Sequence, residues 1–134
     1  MREGCYIDES AKVPESAYIE VFSTVGKNTE IGENAHIGSH VAIGANVKIG
    51  NNCIISDMVT ICDNVEIGEN TFIEAGTVFV EKLNQRAKED IVPAKTIVGN
   101  NVSIHSRAVI EAGVIIDDET VIGYGEIIKK DDRK

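Results

Sequence analysis

Three histidines, three cysteines and an uneven spread of charge bound the chemistry open to this 134-residue chain. His40 carries an imidazole, a side chain suited to general-base work near neutral pH. His36 stands four residues before it and His105 lies far along the chain. That spacing does not gather three imidazoles around an ion, and no metal site is expected. Cys5, Cys53 and Cys62 are odd in number and lack CxxC spacing, which suggests neither a disulfide framework nor a zinc site. Cys62 would be nucleophilic only if positive neighbours lowered its pKa. Its neighbours are acidic, so it is read as structural. Asp57 and Asp63 lie six residues apart, and each carboxylate can accept hydrogen bonds from a ligand.

The net charge is −9, and its distribution is more informative than its size. Residues 1–81 hold 4 Lys and Arg against 13 Asp and Glu, whereas residues 82–134 hold 9 of each. A nucleic-acid partner would require a basic face, and the first part has none. Basic groups are kept for the C-terminal part, where they could meet an anionic ligand. No stretch is long and apolar enough to span a bilayer, and the start MREGCYIDES has no signal-peptide core. A cytoplasmic protein without membrane partners is the expectation.

Something must hold these side chains in place, and the sequence supplies it as a repeat of six. Large apolar residues fall at Ile7, Val13, Ile19, Val25, Ile31, Ile37, Ile43, Ile49, Ile55, Ile61, Ile67, Ile73 and Phe79. The step resumes at Val98 and runs through Ile104, Ile110, Ile116, Ile122 and Ile128. Small or β-branched residues recur four places later, as at Ala35, Val41, Val47, Cys53 and Val59. Both positions point inward only if the backbone turns a corner between them, which Gly, Asn and Asp allow by tolerating positive φ. Three short strands and three corners then make one triangular coil of eighteen residues. Successive coils pair in parallel ~4.8 Å apart. About six coils follow, in one domain covering residues 1–134, with repeats over 7–79 and 98–128. Residues 80–97 break the repeat and are read as a loop reaching towards a ligand or a neighbouring copy.

This pattern resembles the left-handed parallel β-helix of the hexapeptide-repeat acyltransferases. The segment NVKIGNNCIISDMVTICDNVEIGENTFIEAGTVF, the following NQRA and the later VIGYGEIIKKD are similar to the nucleotide-sugar N-acetyltransferases that acetylate a 3-amino group. The resemblance implies an all-β, left-handed β-helix assembled as a homotrimer. It further implies acetyl transfer from acetyl-CoA to an amino group of a nucleotide-linked sugar.

Residue by residue, the family's acceptor-orienting Asn falls on Glu81, which could bind an ammonium or take its proton, with His40 the other candidate base. The Arg of the family's Pro-Arg pair falls on Arg86. Arg86, Asp57 and Asp63 are the expected substrate-binding residues. For coenzyme A the family uses backbone along the late coils with basic residues for the phosphates. That implies Ala112, Gly113, Gly123 and Gly125 as small-residue corners, with Arg107, Lys129 and Lys130 as cations. The family's WHFAH stretch falls on Glu20, Val21, Phe22, Ser23 and Thr24, without its histidines. A catalytically degenerate scaffold or binding module is therefore the alternative expectation.

Overall fold

The computed structural model describes residues 3–81 and 94–130. Every strand is only two or three residues long, because a corner interrupts the chain at each hexapeptide. The strands stack into three parallel sheets, the faces of a prism. The first face has seven strands: Tyr6–Ile7, Thr24–Val25, Ala42–Ile43, Thr60–Ile61, Val78–Val80, Val109–Glu111 and Ile127–Ile128. The second has five: Glu30–Ile31, Lys48–Ile49, Val65–Ile67, Thr96–Val98 and Ile115–Ile116. The third has six: Tyr18–Ile19, His36–Ile37, Ile54–Ile55, Phe72–Ile73, Ser103–Ile104 and Val121–Ile122. The solenoid has about six turns and is the left-handed β-helix that the family resemblance implied.

The register obeys the eighteen-residue rule. Ile7 pairs with Val25, Val25 with Ile43, and Ile43 with Ile61. Those residues and the position-five set fill the interior, where Ile37, Ile55, Ile73, Ile104 and Ile110 are wholly enclosed. Each such side chain contributes about 1.5–3 kcal/mol by leaving water. Buried hydroxyls are satisfied within the ladder. Ser23 Oγ donates to the Gly38 carbonyl at 2.7 Å and accepts the Val41 amide at 3.0 Å.

At the interruption the pairing continues after a longer excursion. Phe79 pairs with Ile110 and Ile67 with Val98, a sequence separation of 31 in place of 18. Val80, Thr96 and Ile97 remain in strands, so the break is narrower than the 80–97 expected. The extra pairs form because Thr96 buries its side chain against the Val65 strand, and its hydroxyl accepts the Gly113 amide at 3.0 Å.

Candidate functional site

The three edges of the prism are built differently. On the first edge, between first and second faces, Asn28, Asn46 and Asn64 take left-handed φ, followed by Gly113. On the second edge Asn34, Asn52, Asn70 and Asn101 do so, ending in Glu119. Asn reaches this region cheaply. On the third edge, leading from the third face to the first, the left-handed column is Gly4, Phe22, His40, Met58, Gly76, Arg107 and Gly125. A bulky residue at positive φ is a backbone outlier, costing about 1–3 kcal/mol, and such outliers gather at functional sites. Phe22 and Met58 are also 64% and 61% exposed, so no core packing offsets the strain.

All three histidines of the chain lie on the third face or the third edge. His36 projects from its strand, with Nε2 3.0 Å from Glu20 Oε2 and its ring against Tyr18. His40 packs its ring on Phe22 at a centroid distance of 5.1 Å, and it forms no side-chain hydrogen bond among the described residues.

His105 is the more enclosed. Its Nδ1 is buried 3.3 Å from Glu74 Oε1, at an angle that does not complete a hydrogen bond. The ring stacks on Tyr124 with centroids 4.8 Å apart. Glu74 Oε1 also accepts from the Ser106 amide and hydroxyl, both at 3.1 Å. Desolvation pushes the Glu74 carboxyl up, but the neighbouring His105 ring and the hydrogen bonds from Ser106 outweigh it and hold the group below its ordinary range. An ionised carboxylate beside Nδ1 favours the tautomer protonated there, which leaves Nε2 as the proton acceptor. Sequence reading missed this pair. Both residues directly follow a position-one isoleucine, Ile73 and Ile104, and that shared register was the signal.

The expected site residues divide between two edges. His40, Asp57, Arg107, Gly123 and Gly125 stand on the third edge. Asp63, Glu81, Ala112, Gly113, Lys129 and Lys130 stand on the first, with Lys130 packed over Gly113 beside Ala94. Arg86 lies outside the described residues. Asp57 Oδ1 accepts the Ser39 amide at 2.9 Å and Asp63 Oδ1 the Ala45 amide at 2.8 Å. Asn51, Asn100 and Asp118 serve the corners in the same way, so each Asp has a backbone-supporting task and a second carboxylate oxygen beyond it.

Burial pushes the Cys62 thiol up to about 11, with Glu81 and Asp63 adding repulsion. With the thiolate scarce, iodoacetamide should alkylate Cys62 about a hundredfold more slowly than an unperturbed thiol. Mass spectrometry of a time course at pH 8 measures this, and a free-thiol rate at Cys62 would contradict it. Among the described residues, no group of three or more His, Cys, Asp or Glu is arranged to hold a metal ion.

Residues 46–80 match the family described as bacterial transferase hexapeptide (six repeats). Residues 46–80 thus carry the hexapeptide repeat of that family. No curated protein matches it by sequence. Among solved structures it is similar to a histidine-to-alanine mutant of GDP-perosamine N-acetyltransferase from Caulobacter crescentus in complex with CoA and GDP-perosamine. Identity there is 17% and the TM-score 0.58, over 90% of this chain and 51% of that one. The acetyltransferase domain of PglB from Neisseria gonorrhoeae, in complex with acetyl coenzyme A, is 16% identical with a TM-score of 0.70, over 90% and 55%. A UDP-N-acetylglucosamine acyltransferase from Francisella novicida is 23% identical with a TM-score of 0.58, over 92% and 56%. These likenesses establish the coil fold. The repeat protein spans about half the length of the structures it matches.

Proposed function

We propose that this protein is an acyltransferase that moves acetyl from acetyl-CoA to an amino group of a nucleotide-linked sugar, working in the cytoplasm as a homotrimer. One observation carries the reading: the third edge sets Phe22, His40, Met58 and Arg107 at left-handed φ where the other two edges carry mostly Asn. The family match over residues 46–80 and the acetyl-CoA and GDP-perosamine complexes among the similar structures support it.

In this reaction the acceptor nitrogen attacks the thioester carbonyl, the carbon–sulfur bond breaks, and the amine proton must leave. His105 Nε2 takes that proton and returns it to the departing thiolate, with Glu74 as its positioning residue. His40 and Glu81 are the other candidates for the role. They stand on different edges, so a site using both would draw on two copies of the chain. The exposed ridge of Tyr18, Phe22, Ile54 and Met58 is the apolar surface that a closed trimer would cover.

Lys129 and Lys130 are assigned to the coenzyme A phosphates. Each charge-assisted contact is worth about 1.5–3 kcal/mol. Acetyl-CoA should raise the melting temperature of the wild-type protein by mass action. Lys129→Ala with Lys130→Ala should weaken acetyl-CoA binding more than about tenfold and leave the unliganded melting temperature in place. If acetyl-CoA produces no shift in the wild-type protein, the scaffold reading replaces the enzyme.

A further inference from the structure

We infer that Tyr124 is a stacking shelf for the aromatic ring of a nucleoside phosphate, with Arg107 receiving the phosphate; the ligand class rests on the acyltransferase reading above. Tyr124 is 72% exposed. One face lies on His105, with the ring planes 28° apart, and His105 is backed in turn by Glu74. The phenol is therefore positioned by two layers beneath it while its outer surface stays open.

Its chain neighbours keep that surface clear. Gly123 and Gly125 flank the ring, and a side chain added at Gly125 would have no atom within 4 Å. Gly125 also has φ +67 and donates its amide to the Ser106 carbonyl at 3.0 Å, which fixes the corner that presents the ring. A flat ligand can reach Tyr124 without displacing a side chain.

One coil below, Arg107 occupies the left-handed position at φ 65. Its stem runs back over the corner at Gly76, where Cγ stands 3.4 Å from the site of a Cβ. Arg107 thus stands on the same edge as the shelf, one coil spacing of ~4.8 Å away. That separation suits a base joined through ribose to a phosphate. Two nearby carboxylates are already engaged: Glu126 accepts the Gly123 amide at 2.7 Å, and Glu74 is held by Ser106. Base-on-aromatic stacking tolerates any base, so the shelf by itself does not choose between a nucleotide sugar and the adenine end of coenzyme A.

Titration calorimetry with UDP, GDP and adenosine 3′,5′-bisphosphate tests the shelf on the wild-type protein, Tyr124→Phe, Tyr124→Ala and Arg107→Gln. Tyr124→Ala should weaken the ligand that uses the shelf about tenfold, with Tyr124→Phe close to wild type. Arg107→Gln should weaken the same ligand, and ribose 5-phosphate should not respond to Tyr124→Ala. Loss confined to UDP and GDP assigns the shelf to the nucleotide sugar; loss confined to the bisphosphate assigns it to coenzyme A. Equal affinities in Tyr124→Ala and wild type overturn the shelf and leave the acyltransferase reading standing. If neither the three nucleotides nor acetyl-CoA binds the wild-type protein, both fall together.

Discussion

His105→Ala is expected to lower turnover about a hundred- to ten-thousandfold, the usual contribution of a positioned general base. Acetyl-CoA affinity should fall only where the Tyr124 shelf, which rests on this ring, takes the adenine end of coenzyme A. Exogenous imidazole should restore part of the rate, a response that a purely structural defect would not give. Glu74→Gln should act in the same direction and more weakly, lowering kcat with little change in KM, since it disturbs the orientation of the ring rather than contact with substrate. The measurement is steady-state kinetics with acetyl-CoA and an amino-sugar nucleotide, with Glu81→Gln and His40→Gln alongside. Full activity in His105→Ala would move the proton acceptor to Glu81, His40 or the departing thiolate.

Phe79→Ala should destabilise the fold by about 3–5 kcal/mol, the range for removing a buried aromatic ring. Phe79 is the bulkiest of the fully buried side chains and is packed between Ile61 and Ile110 in the first-face column. Domains of ordinary stability hold only about 5–15 kcal/mol in total, so the loss is a large share. It should appear as a lower urea midpoint at nearly unchanged slope. A change under about 1 kcal/mol would mean that neighbouring coils collapse into the vacated space, contrary to the close packing seen here.

The coil was legible because its physics is periodic. An apolar residue every sixth place and a small residue four further on can both be buried only by a triangular turn, and Ile37, Val41 and Ile43 are buried in that way. The third edge was illegible for the opposite reason. Phe22, Met58 and Arg107 take a conformation that residue preferences assign to Gly and Asn, so nothing in their types announces it. Residue type and corner position mark Asp57 and Asp63 as ligand groups. Their amide caps depend on a residue one coil away, which only the register supplies. Glu74 and His105 meet across the interruption, where counting by eighteen fails. The division of the expected coenzyme residues between two edges also follows from register, which places Lys130 over Gly113 and Arg107 beside Gly76.

The interrupted ladder bears on how such a chain can change over generations. Closing a loop of 31 residues rather than 18 adds only about 0.5 kcal/mol of chain entropy, because the term grows with the logarithm of length. A stack in which each layer touches only its neighbours passes that small disturbance no further. Junctions between coils are therefore places where new chain can be spliced in, lengthened or exchanged almost independently of the rest. The prism supplies a fixed ruler of strands, and inserted segments are free to vary against it.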